Sequence, residues 1–275
     1  MKYQPFSRTL IATALVLTVS GVHAASQAPV AGENGMVVTA QHLATHVGVD
    51  VLKAGGNAVD AAVAVGYALA VVYPAAGNLG GGGFMTVQLA DGRKTFLDFR
   101  EKAPLAATAD MYLDKDGKVV EGLSAKGHLA VGVPGTVSGM ETALSKYGTL
   151  KRAQVIAPAI KLAENGFELE QGDIDLLHTA TGEFEKDKDL RGIFLHNGQP
   201  MQVGQKLVQK DLAKTLKEIG QGTGLGLSVS YFIVTNNHKG QMEVHSTLGQ
   251  GTCFTLRLPL AGSQMPPFDL TQLEQ

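Results

Sequence analysis

The chain of 275 residues holds one cysteine, Cys253. A single thiol closes no intramolecular disulfide, and it cannot supply the cysteine set of a structural zinc site. An excess of charge is missing too. The 23 basic and 25 acidic residues give a net of −2, so neither nucleic acid nor an anionic membrane surface is implied as a partner. Charged residues make up 17% and hydrophobic residues 44%, a globular mixture rather than that of a disordered chain. Long apolar runs are also absent. Thr9 to Val19 falls short of the roughly 20 residues that span a bilayer, so no stable membrane span is expected. Lys2 and Arg8 flank this run on one side and Val22-His23-Ala24 on the other. That is the three-part layout of a secretory signal, residues 1–24, and it directs the mature chain to the periplasm or the medium.

Motifs are missing as well. No Gly-x-Gly-x-x-Gly follows a predicted strand, and no Gly-Lys-Ser or Gly-Lys-Thr closes a glycine loop, which excludes Rossmann and Walker sites. His42 and His46 share a helix face by spacing, but they lack a third ligand and an HExxH frame. "DKDG", Asp114 to Gly117, lacks the later ligands of a calcium loop and reads as a turn. No metal and no cofactor are expected.

Glycine is what the chain has in quantity, with 34 residues. After a linker from Ala25 to Gly35, Met36 to Thr39 reads as a short strand and Ala40 to Lys53 as a helix stopped by Gly55-Gly56. Asn57 caps a second helix, Ala58 to Val72, which ends before Pro74. It is apolar all round, so a buried helix is expected, and the buried-type face contains Asp60. Phe84 to Leu89 and Lys94 to Arg100 form a hairpin about Asp91-Gly92. Helices follow at Val137 to Tyr147, before Asn165-Gly166, and from Asp211 to Ile219. Beyond Gly220 come a helix from Leu225 to Asn236 and strands Gln241 to Ser246 and Thr252 to Leu258. Residues 261–275, with Pro266-Pro267, read as a disordered tail. The fold class is α/β, or layered α+β.

Two features could carry chemistry. Arg100, in "LDFREKAP", ends a strand and presents a planar fork suited to a carboxylate, or else pairs with Glu101 at the surface. The tetraglycine Gly80 to Gly83 could let a ligand or chain segment approach closely, or simply turn from helix to strand.

"KAGGNAVDAAVAVGYALAVVYPAAGNLGGGGFM", "LDFREKAP" and "GVPGTVSGMETALSKYG" resemble the gamma-glutamyltransferase (gamma-glutamyltranspeptidase, glutathione hydrolase) family over about Met36 to Ile219. The resemblance implies an N-terminal-nucleophile hydrolase fold, an αββα sandwich, of which residues 25–219 would be part of the large subunit. It implies transfer of a gamma-glutamyl group, as from glutathione, to water, an amino acid or a peptide. The nucleophile is a threonine freed at the start of a small subunit, with its own amine as base. Arg100 matches the arginine that grips the glutamyl α-carboxylate, and Glu101 matches the same motif as support. No Thr-His-Tyr or Thr-His-Phe occurs in this sequence, and Thr179 follows His178 in the reverse order. The nucleophile and the small subunit that carries it are therefore expected to be missing, and the chain to be inactive by itself.

"GTGLGLSVSYFIVTNNHKGQMEVHSTLGQGTCFTLRLPL", Gly222 to Leu260, is similar to the end of the ATP-binding domain of sensor histidine kinases. The resemblance implies a phosphate lid at Gly222, Thr223, Gly224, Leu225 and Gly226, followed by a closing strand pair. The asparagine box, the first glycine box and the phosphoacceptor segment are lacking, so ATP binding is not expected. Two incomplete units meeting near Ile219-Gly220 without a linker point to a hybrid. Such a hybrid would expose the helix Ala58 to Val72 and sheet surfaces, and fold poorly.

Overall fold

The computed structural model describes residues 29–222, 241–247 and 251–257, in two units that divide after Met36. In the N-terminal unit the described residues form no helix or strand. The second unit begins at Val37. The short strand expected at Met36 to Thr39 is not formed. Val38 is exposed, and Val37 packs its side chain against Gly48 of the first helix, so Val37 covers a helix instead of joining a sheet.

Helix α1 (His42–Lys53) is capped by the Gln41 side chain, which accepts from Leu43 N. Helix α2 (Ala58–Val72) has the span that its apolar pattern predicts. Its first turn is a capping box: Asn57 Oδ1 accepts from Val59 N and Asp60 N, and Asp60 Oδ2 accepts from Asn57 N. Ten of its residues, Val59 to Val72, are buried against α1 and against α3 (Thr136–Tyr147) and α4 (Arg152–Asn165). This corrects the expectation that α2 would be exposed: neighbouring helices of the same chain bury ten of its residues, while Ala58 and Ala62 stay exposed and Val65 and Leu69 are half-buried.

Asp60 is fully buried and ties α2 to the α3–α4 connection. Its carboxylate accepts from Thr149 N, Thr149 Oγ1 and Leu150 N, while Asn57 Nδ2 donates to Tyr147 O. Helix α8 (Lys210–Gln221) packs its apolar stripe, Ala213, Leu216 and Ile219, along α4. Buried Gln209 fixes its start, with Nε2 donating to Val71 O and N donating to Ala163 O.

Between α4 and α8 lie three short helices, α5 (Gln171–His178), α6 (Thr181–Phe184) and α7 (Lys188–Phe194). Among the described residues the strands pair in twos, all antiparallel: β1 (Phe84–Gln88) with β2 (Lys94–Asp98), β3 (Phe167–Glu168) with β6 (Lys206–Leu207), β4 (Leu195–His196) with β5 (Gln199–Pro200), and β7 (Gln241–Thr247) with β8 (Gly251–Arg257). The expected pair of stacked sheets is not assembled among the described residues. Helices, not strands, supply most of the buried side chains. The β7–β8 pair has the expected positions. The helix expected at Leu225 to Asn236, the signal at 1–24 and the tail at 261–275 lie outside the described residues.

β1 and β2 turn at Asp91-Gly92, where Gly92 adopts a φ of 86° and Leu89 N donates to Arg93 O. Alternation then gives the hairpin two faces. Met85, Val87 and Leu97 turn toward the core, while Phe84, Thr86, Phe96 and Asp98 face outward. Phe84 and Phe96 stack on the outer face at 5.6 Å.

Candidate substrate carboxylate site

Arg100 sits two residues beyond the end of β2, its backbone N–H donating to Asp98 Oδ1 at 3.0 Å. Its guanidinium lies 5.8 Å from the centre of the Phe84 ring, and Nη2 is 3.5 Å from Glu101 Oε1. The side chain remains 61% exposed, so both the aromatic contact and the ion pair leave its fork open to solvent. The surface pairing weighed from the sequence is thus present, but at this exposure it adds little stability and yields readily to a better-oriented carboxylate. Beside Arg100 lies a cavity of about 280 Å³, lined by Asp98, Phe99, Arg100, Lys102, Ser138 and Thr142 among others.

The backbone under Arg100 is held by glycines. None of Gly80 to Gly83 has a positive φ, so this run is not needed for an unusual turn. It is needed for space. A Cβ on Gly82 would lie 2.6 Å from Arg100 Cα and collide with the backbone nitrogen of Glu101. One on Gly83 would lie 2.8 Å from the Phe99 ring. Phe99 N donates to Gly83 O at 3.1 Å, which continues the β1–β2 pairing to the edge of the site. From the other side, Gly135 abuts the Phe99 carbonyl and Gly139 its ring, while Val133 and Lys102 exchange backbone hydrogen bonds. Phe99 to Lys102 is therefore clamped between two glycine-rich segments far apart in sequence.

Of the two readings of the tetraglycine, the structure bears out close approach, and the approaching group is the chain itself. Glu101 places its carboxylate against Gly82. Sequence reasoning missed Phe84, Phe99, Asn78 and Thr136. A signal for two of them was there, since Thr136 lies within the glycine-rich "GVPGTVSG" and Asn78 directly precedes "LGGGG".

The second proposed site is described only at its edge. Gly222 closes α8 in the left-handed conformation, φ 78°, and its N–H donates to Ile219 O. It stands at a helix C-terminus, next to the Arg152 guanidinium, which pairs in bidentate fashion with Glu141. Thr223, Gly224, Leu225 and Gly226 lie outside the described residues. His42 and His46 meet edge to face at 6.1 Å, and among the described residues no group of three or more potential ligands could hold a metal ion.

Residues 44–227 match the gamma-glutamyltranspeptidase family, a match that runs through Ile219-Gly220 and past Gly226. The chain is 72% identical over 220 residues to a glutathione hydrolase proenzyme of Pseudomonas sp. (strain A14), covering 80% of this chain and 38% of that protein. It is 50% identical over 194 residues to the glutathione hydrolase proenzyme of Escherichia coli (strain K12), covering 70% of this chain and 33% of that protein. The chain thus spans well under half the length of these relatives. The solved gamma-glutamyltranspeptidase of Helicobacter pylori superposes with a TM-score of 0.73 at 43% identity, over 84% of this chain and 72% of that one. These similarities establish that the chain belongs to the gamma-glutamyltranspeptidase family.

Proposed function

We propose that Arg100 is the carboxylate-gripping residue of a gamma-glutamyl site, with Glu101 as its support. The carrying observation is the open guanidinium fork on an immobilised backbone. Arg100 Cα is fixed against Gly82, yet its side chain is 61% exposed beside the cavity of about 280 Å³. An α-carboxylate docking there would form two parallel N–H···O bonds and displace the longer Glu101 contact. That docking orients the gamma-glutamyl amide for attack and lets glutathione serve as substrate.

Attack itself needs an activated threonine and oxyanion donors. In this reading residues 25–219 supply the grip on the gamma-glutamyl group, and a small subunit supplies the nucleophile. Residues 1–24 act as an export signal in this reading, and the site works in the periplasm or the medium. Calorimetric titration tests the proposal. Glutathione should bind the purified chain and fail to bind Arg100→Ala. Equal binding by Arg100→Ala removes the assignment.

A second reading concerns residues 220–260. Its support is the antiparallel β7–β8 pair, which has the order expected of the closing strands of a histidine-kinase ATP-binding domain. We infer a hybrid segment that lacks the rest of a nucleotide site. Equilibrium dialysis against ATP should show no binding. Mass spectrometry of source cells should recover the tryptic peptide from Glu218 to Lys239 if the junction is translated; upstream peptides without it would mark the junction as an artefact.

A further inference from the structure

We propose that Asn78 and Thr136 form a clasp that positions Arg100, acting through the tetraglycine segment. This inference rests on the reading of Arg100 given above. Asn78 Oδ1 accepts two hydrogen bonds, from Gly81 N and from Thr136 Oγ1, each 2.8 Å long. Asn78 Nδ2 donates to Ala76 O at 3.1 Å, which fixes the amide so that its oxygen faces both donors. The Gly81 carbonyl in turn accepts from Gly135 N at 2.8 Å and Thr136 N at 3.1 Å. Thr136 therefore holds the glycine segment directly by its backbone and, through the Asn78 side chain, by its hydroxyl, and it is itself buried.

The consequence for Arg100 follows from packing. Gly81 is succeeded by Gly82, which touches Arg100 Cα, and by Gly83, which pairs with Phe99. A shift of Gly81 has no slack to absorb it before Phe99 and Arg100, since every glycine in between is in contact. Interiors packed this closely transmit displacement. The clasp residues are positioning residues. Their effect on a ligand passes through the Arg100 backbone and the direction of its fork.

The test uses the full chain and a signal that reports Arg100 directly. The guanidinium lies 5.8 Å from the Phe84 ring centre, so the ring displaces its Nε–H resonance from that of a free arginine. Arg100→Lys assigns the peak by removing it. In Thr136→Val, which keeps the shape and deletes the hydroxyl, the displacement should collapse by more than half. Glutathione affinity should fall about tenfold, the scale of one misaligned hydrogen bond to a charged group. Thr136→Ser should restore both. Asn78→Ala, at an exposed position, should reproduce the loss if Thr136→Val fails to fold. An unchanged resonance in a folded Thr136→Val or Asn78→Ala chain overturns the clasp. The assignment of Arg100 is separable from it: glutathione binding that survives Arg100→Ala removes that assignment whatever the resonance does, and the resonance alone decides the clasp.

Discussion

Asp60 and Thr149, far apart in sequence, are joined by the Thr149 hydroxyl at 2.6 Å and the Thr149 N–H at 2.9 Å, both donating to one buried carboxylate. Burial alone would raise the carboxyl pKa. The hydrogen bonds from the Thr149 hydroxyl and from the backbone of Asn57, Leu150 and Thr149 outweigh it and hold the group below the usual carboxylate range. A pKa depressed on folding contributes stability that is present above the unfolded value of about 3.9 and lost as pH falls through the folded value. Asp60→Asn should therefore cost about 2–3 kcal/mol at neutral pH, where the charged acceptor matters most. Urea unfolding from pH 7 down to pH 3 should show a shallower acid-side loss for the variant than for the parent chain. Parallel acid limbs would show that Asp60 is not a titrating support of α2.

Gly82→Ala places a methyl group against the backbone of Arg100 and Glu101. The neighbours are main-chain atoms that cannot rotate away, so overpacking of about 1–3 kcal/mol is expected. Gly172→Ala, on α5 with open space around it, should be neutral or stabilising by up to about 1 kcal/mol. Denaturation midpoints of the two variants check the contrast, and equal shifts would remove the close-packing explanation of the tetraglycine.

Tyr67 is buried, with its hydroxyl lacking a hydrogen-bond partner among the described residues. Burial, and then the Glu141 carboxylate, push its pKa far above the ordinary tyrosine range, so it stays neutral. Tyr67→Phe deletes an unsatisfied polar atom and leaves the ring. Stability should be unchanged or rise by up to about 1 kcal/mol, measured by thermal unfolding. A loss larger than that would mean that the hydroxyl has a partner in solution.

The helical part of this fold was legible because local chemistry agreed with the final packing. Asn57 and Asp60 announce the start of α2, its Ala-Val face announces burial, and Asp91-Gly92 announces the hairpin. The strand expected near Val37 was misread because two valines beside a helix start look like a β segment, while a strand needs a partner that local pattern does not reveal. Exposure of α2 was misjudged for a related reason. Covering by α1, α3 and α4 is a long-range fact that composition does not record. Arg100 was visible as an exposed fork at a strand end, and the family resemblance gave it a role. The clamp around it was not visible, since Gly82, Gly135 and Gly139 act on Phe99 and Arg100 across long stretches of chain.

The proposed role of Arg100 is recognition of the α-carboxylate of a gamma-glutamyl group. The most direct measurement compares glutathione with an analogue whose glutamyl α-carboxylate is an amide, each titrated into the isotope-labelled chain while the Arg100 resonance is followed. Glutathione should move this resonance in a saturable way, and the amide should leave it in place. Equal movement by both compounds, or by neither, would contradict that role.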